Sequence, residues 1–126
     1  MKRVVGLGGV FFRSKDPKAL YEWYRVHLGI EPSPDGSGVS WRDADHPEIP
    51  GRTVFAIFPS DTKYFGSPEH AFMLNFRVDD LKGLLQALRE EGVQIDDKVD
   101  EYDFGKFGWI TDPEGNRVEL WEPAKE

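Results

Sequence analysis

Near its C-terminal end the chain reads Trp-Ile-Thr-Asp-Pro-Glu-Gly-Asn-Arg-Val-Glu-Leu-Trp-Glu-Pro, residues 109–123. A single carboxylate, Glu119, stands on the strand-like run that follows the turn at Asp112–Asn116. A carboxylate in that setting can ligate a divalent cation, serve as a general base, or orient a polar ligand in a pocket. The other groups able to do chemistry are scattered. His27 falls at the end of a helix-like segment, where interaction with the helix dipole accounts for it. His46 sits in the acidic run DADHPE, whose spacing matches no ligand pattern and reads as a solvated loop. His70 precedes the apolar run FMLNFR by a few residues and is a remote candidate for a pocket or metal role. Neither a Ser-His-Asp constellation nor a G-x-S-x-G turn is visible.

Composition narrows the field. With no cysteine, disulfides, thiolate catalysis and Cys-ligated metal centres are excluded. The formal charge of −7 argues against nucleic acid or an anionic membrane as partner, because both call for a basic face. At 126 residues the chain makes one ordinary domain with a core of its own. No apolar run approaches a membrane span, and MKRVVGLGGVFF lacks a signal-type cleavage region, so a soluble cytoplasmic domain is expected.

Two segments must form the helices that position these residues. In SKDPKALYEWYRVHLGI, Asp16 caps, Pro17 suits the first turn, Leu20, Trp23, Tyr24 and Leu28 recur at helical spacing, and Gly29 stops the helix. In VDDLKGLLQALREEGVQI, Asp80 caps, Leu81, Leu84, Leu85 and Leu88 form the stripe, and Gly92 ends it. At an offset of 64 the segments match at Arg13/Arg77, Asp16/Asp80, Lys18/Lys82, Leu20/Leu84 and Arg25/Arg89. A one-residue gap then aligns Gly29 with Gly92. Each helix follows a strand-like run, GGVFFR or FMLNFR, and each precedes a tail of short strands. Those strands are expected at Gly38–Arg42 and Thr53–Phe58, then at Gln94–Val99, Phe107–Thr111 and Arg117–Trp121. Glu31–Gly38 and Asp43–Gly51 read as loops. The period is half the chain, which predicts an α+β domain of tandem βαβββ repeats forming a curved mixed sheet. The halves fall at about 1–60 and 70–123. The linker at about 59–70, PSDTKYFGSPE, would expose Tyr64 and Phe65 as a lid or lie partly buried.

KDPKALYEWYRVHLGI, FRVDDLKGLLQALREEGV and WITDPEGNRVELWEP, in this order and spacing, resemble the vicinal oxygen chelate superfamily. That family groups glyoxalase I, extradiol dioxygenases, fosfomycin-resistance enzymes and bleomycin-resistance proteins. The resemblance implies that each half curls its sheet into a half-open cup, that the two cups enclose a ligand, and that homodimers are common. Enzymatic members hold one divalent metal, with ligands from the first and last strand of each half. Carried onto this chain, those positions are Gly9, Ala56, Met73 and Glu119. Glycine and alanine offer no donor atom, and a thioether suits a hard cation poorly. Glu119 alone is retained, so no cofactor is expected, although a divalent metal stays possible.

Strand alternation names the residues sharing the Glu119 face: Arg117 and Trp121 beside it, with Val118 and Leu120 turned to the core. On the other strands Phe11, Arg13, Met73, Asn75 and Arg77 are expected on the equivalent face, with Val10, Phe12, Leu74 and Phe76 opposite. Trp109 is expected to stack with Trp121, and Phe55 or Ile57 to add to the wall. The expected cavity is therefore aromatic with a few polar handles, the make-up of a small-molecule pocket. Arg13, Arg77 and Glu119 could equally serve a structural role at strand ends. Three functions remain open. One is a metal-free binding protein. A second is a glyoxalase-, isomerase- or dioxygenase-like enzyme with a rearranged metal or Glu-based site, Glu119 then being catalytic. The third is an accessory, dimer-building module.

Overall fold

In the computed structural model the described residues are 3–33 and 36–125. The elements run β1 (Val4–Ser14), α1 (Pro17–Leu28), β2 (Pro32–Ser33), β3 (Gly36–Arg42) and β4 (Pro50–Pro59). They continue with β5 (Phe72–Val78), α2 (Leu81–Glu90), β6 (Gln94–Ile95), β7 (Asp100–Tyr102), β8 (Gly105–Thr111) and β9 (Arg117–Pro123). The chain divides into two compact units, Gly9–Met73 and Leu74–Glu126 together with residues 1–8.

The same β-α-β-β-β plan appears in each unit, so the architecture is α+β with mixed sheets. In the first, β1 pairs parallel with β4, and β3 pairs antiparallel with both β4 and β2. In the second, β5 pairs parallel with β9, and β8 pairs antiparallel with β9, β6 and β7. The two short strands β6 and β7 together occupy the place that β2 holds in the first unit. Here the repeat in the sequence becomes a repeat in hydrogen bonding. Phe11 lies opposite Ala56, and Asn75, 64 residues after Phe11, lies opposite Glu119.

Both helices begin as their sequences dictate. Asp16 accepts a hydrogen bond from the Ala19 amide and Asp80 one from the Gly83 amide, each satisfying a donor that the first helical turn leaves unpaired. Gly29 ends α1 at φ +70°, a left-handed conformation that a side chain would strain, and Gly92 follows α2 at φ +84°. Pro17 occupies the first turn of α1, where its missing N–H removes nothing.

Packing separates the two helices. Leu81, Leu84 and Leu85 of α2 are buried with Val78 and Leu120, and Phe76, Leu88, Ile110 and Val118 pack around them. Gly108 on β8 lets the helix approach closely, since a Cβ there would lie 3.1 Å from Leu85 Cδ1. By contrast α1 buries no residue fully. Its Tyr24 ring meets Phe12 and Phe55, and the Tyr21 hydroxyl accepts the Ile57 amide. The expected stripe is thus only half correct: Leu20 and Tyr24 face the sheet, whereas Trp23 and Leu28 face solvent. Aromatic width explains the difference, because Tyr21 and Tyr24 already cover the strand beneath.

Several expected boundaries shift. Pro32–Ser33 and Gly36–Gly38, read as loop, form β2 and the start of β3. Strand pairing ends after Ile95 rather than at Val99 and resumes in β7. The segment at 59–70 does not display Phe65, which is 0% exposed beneath Phe58 and the Arg13 guanidinium. Tyr64 stacks on Phe58 at 5.5 Å and is partly exposed. Local sequence shows turn formers on either side of two aromatics. The burial follows from Arg13, which no local pattern reveals.

Candidate functional site

The site begins with the turn Asp112-Pro113-Glu114-Gly115-Asn116. Asp112 Oδ1 accepts the amides of Glu114 and Asn116, its Oδ2 accepts the Asn116 side-chain amide, and Gly115 supplies φ +85°. This turn sets the β8–β9 register, in which Trp109 faces Glu119, Phe107 faces Trp121 and Thr111 faces Arg117. A slip of one residue would send Glu119 into the Leu120 core, so the turn and the apolar alternation specify the same register.

Glu119 is 2% exposed. Its Oε1 accepts the Asn75 side-chain amide at 2.6 Å and its Oε2 accepts the Trp109 indole N–H at 2.9 Å. With both oxygens accepting, the arrangement suits the carboxylate form, and donors of this kind offset the cost of burying a charge. Asn75 is oriented by the same bond: with Nδ2 donating to Glu119, its Oδ1 turns toward Gly8. There Oδ1 is buried without a hydrogen-bond partner among the described residues. A Cβ on Gly8 would overlap that oxygen, so the glycine is what admits the Asn75 amide.

An aromatic row flanks this centre. Trp121 lies parallel to Phe107 with centroids 6.0 Å apart, and the Arg77 guanidinium lies 5.1 Å over the Trp121 ring. Burial lowers the Arg77 pKa, opposed by the nearby Asp79 carboxylate. Arg117 lies 5.1 Å over Trp109 and pairs with Asp96 at 2.9 Å. At the end of the row Tyr102 and Phe104 stack on each other, both largely exposed.

Of the residues named from sequence, Asn75, Arg77, Trp109, Glu119 and Trp121 therefore share one face of the second unit. Phe11, Arg13 and Met73 belong to the first unit. Phe11 is buried against Phe58, and Met73 is buried as well. Arg13 does not present a free handle. Its guanidinium donates to the carbonyls of His70, Ser60, Thr62 and Ser67, tying the 59–70 segment to β1. His70 Nδ1 lies 3.3 Å from the Phe65 carbonyl, within the same structural knot. Phe55 packs with Phe12 and Tyr24, and Ile57 lies beside Phe12 in the strand register, so both line the helix side and not the expected wall. Trp121 stacks on Phe107 and not on Trp109, because cross-strand neighbours meet and Trp109 lies opposite Glu119. Phe107 and Gly8 were missed from sequence. The alternation through Trp109 could have marked Phe107, whereas nothing local marks Gly8.

Among the described residues, no group of three or more His, Asp or Glu side chains converges. Around Glu119 both carboxylate oxygens accept an N–H donor, and Asn75 Oδ1 is the other side-chain oxygen at this centre. Gly9, Ala56 and Met73 bring no oxygen or nitrogen side chain. Also among the described residues, no helix is long and apolar enough to cross a membrane.

Comparison with curated proteins found no match. Among solved structures, methylmalonyl-CoA epimerase from Mycobacterium tuberculosis aligns with a TM-score of 0.71 at 19% identity, covering 99% of this chain and 92% of that one. A variant of the Streptomyces coelicolor methylmalonyl-CoA epimerase, in complex with 2-nitronate-propionyl-CoA, aligns at 0.72 and 16%, covering 97% and 99%. The 2,3-dioxygenase LapB from Pseudomonas sp. KL28 aligns at 0.65 and 20%, covering 99% of this chain but 43% of its own. At these identities the likeness is one of fold. The family model described as Glyoxalase/Bleomycin resistance protein/Dioxygenase superfamily matches residues 6–120. With its paired parallel-and-antiparallel units and a match over nearly the whole length, the chain belongs to the glyoxalase/bleomycin resistance protein/dioxygenase superfamily.

Proposed function

We propose that this protein binds a small organic molecule on the face that carries Glu119, without a divalent metal. The observation that carries the reading is the Asn75–Glu119–Trp109 arrangement: a buried carboxylate whose oxygens meet an amide and an indole, where a metal site would need further ligands. Apolar walls with a few oriented polar groups are the usual form of such a site, and Phe107, Trp121 and Arg77 supply them. A planar or aromatic ligand suits the ring surfaces. In this reading Asn75 and Trp109 hold the carboxylate in place, and the Arg77 side chain favours an electron-rich or acidic group nearby. The molecule is sequestered and leaves unchanged. A homodimer in the cytoplasm is the setting we assign to it.

A second reading is favoured by the fold likeness to the epimerases. Glu119 would then accept a proton from a carbon next to a carbonyl. Its burial opposes this role, because the carbon acid must reach a carboxylate oxygen on a residue that is 2% exposed.

Isothermal titration with Mn²⁺, Ni²⁺ and Zn²⁺, beside a panel of aromatic and acidic small molecules, decides between these readings. The expected result is no stoichiometric metal binding, together with saturable uptake of a panel member that Trp121→Ala and Arg77→Ala weaken. Strong one-to-one metal binding that disappears in Glu119→Ala would overturn the metal-free reading. Turnover of a bound panel member, lost in Glu119→Gln, would favour the enzyme.

A further inference from the structure

The opposite face of the second unit carries a groove separate from the Glu119 site. Strand alternation places Lys106, Gly108 and Leu120 on the α2 side, while Phe107, Trp109 and Glu119 point away from it. Between α2 and β7–β8 lies a hollow of about 220 Å³, with Leu81, Leu85 and Val99 among its apolar lining and Lys82, Arg89 and Lys106 among its cations. A second hollow of about 320 Å³, lined in part by Lys125, Tyr102 and Glu122, shares Lys106 with it. Together the two linings contain the cations Lys82, Arg89, Lys106 and Lys125 against the carboxylates Glu101 and Glu122. That local balance is opposite in sign to the chain's net charge of −7.

Glu122 is already engaged. Its Oε1 accepts the Leu81 amide at the start of α2, and its Oε2 lies 4.0 Å from Lys106 Nζ. The apolar hollow is smaller than a drug-sized cleft of roughly 300–1,000 Å³, so it suits a short unbranched chain better than a ring system. Val99 at its edge is 43% exposed, apolar surface that a bound chain would cover.

We propose that this groove binds a short alkyl carboxylate. Its chain lies on Leu81, Leu85 and Val99, and its head group meets Lys106, which lines both hollows, with Arg89 and Lys82 in the lining of the first. Leu81 and Leu85, themselves buried, form the floor, Val99 offers the exposed apolar surface that the chain covers, and the cations fix which end of the ligand points outward. The first hollow lies across the sheet from Glu119, and the second reaches the sheet edge at Tyr102, the end of the aromatic row.

Octanoate titrated into the full chain, followed by backbone amide NMR shifts, tests the proposal, with octanol and inorganic phosphate as the paired probes. Saturable shifts are expected on α2 and β7–β8 for octanoate, with octanol and phosphate each binding about tenfold more weakly because each lacks one half of the contact. Lys106→Met and Val99→Asp, both exposed positions, are expected to weaken octanoate by a similar factor while leaving the unfolding temperature near that of the parent. Glu119→Gln is expected to leave octanoate binding unchanged. Phosphate matching octanoate, unchanged affinity in both groove variants, or loss of octanoate only in Glu119→Gln would each overturn the assignment.

Discussion

Trp109→Phe isolates the bond on which the Glu119 site depends. In the parent, the indole N–H donates beside the Asn75 amide to a carboxylate that is 2% exposed. Hydrogen bonds to buried charged groups contribute about 1.5–3 kcal/mol, and a smaller ring at a buried position adds a packing loss of about 1 kcal/mol. The expected destabilisation is therefore about 3 kcal/mol, a fall in unfolding temperature of roughly 10 °C for a domain of this size. The packing part is removed by a double-mutant cycle with Glu119→Gln. The glutamine of that variant keeps the shape, and Asn75 can turn its amide over so that Oδ1 accepts from the new NH₂ group. In that background the Trp109 bond is neutral and contributes about 1 kcal/mol, so Trp109→Phe should cost about 1 kcal/mol less than in the parent. Urea unfolding of the parent, both single variants and the double variant measures this coupling. A coupling within about 0.3 kcal/mol of zero would refute the reasoning, because the indole N–H would then contribute nothing specific to the carboxylate.

Three other outcomes follow from single contacts. Gly8→Ala places a methyl group where Asn75 Oδ1 lies, so the amide must leave Glu119 or the strand must shift, at a cost of about 2 kcal/mol by denaturant unfolding. Parent-like stability with unaltered Asn75 side-chain NMR shifts would count against it. Arg13→Lys loses the fork that reaches the carbonyls of Ser60, Thr62, Ser67 and His70, and limited proteolysis should then cut the 59–70 segment faster. Equal cutting rates would show that Phe65 burial alone holds the segment. Tyr102 donates to Asp100 Oδ2, and this bond, reinforced by the Asp100 charge, raises its pKa above the ordinary 10.0. Raised in the folded state, the group contributes stability that is complete below the unfolded value and lost as pH rises through the folded one. Tyrosinate absorbance, compared between the parent and Tyr102→Phe, should show Tyr102 ionising late, and Asp100→Asn should bring it earlier. A titration unchanged by Asp100→Asn would remove the pair.

Features written in consecutive residues were legible in the sequence. Asp16 and Asp80 cap as expected, Gly29 and Gly92 stop their helices, and the Asp112–Asn116 turn sets a register that alternation had already implied. The offset of 64 likewise relates Phe11 to Asn75, and their strand partners Ala56 and Glu119 stand 63 apart, because a repeated topology preserves strand partners across the one-residue gap. All of these are local rules of capping, left-handed turns and period-two patterning, which a single chain segment satisfies by itself.

What the sequence could not decide was which partner each polar group takes. Arg13 and Arg77 are equivalent by repeat, yet Arg13 binds four carbonyls of a distant segment while Arg77 lies over Trp121. Phe65, read as the tip of a lid or as part of a partly buried linker, is fully buried, and Trp109 looked like a stacking partner and is a hydrogen-bond donor. Composition and alternation placed Glu119 on its face. Only the meeting of β5, β8 and β9 supplied the Asn75 and Trp109 donors, because a buried charge is settled by groups that are distant in sequence and adjacent in space.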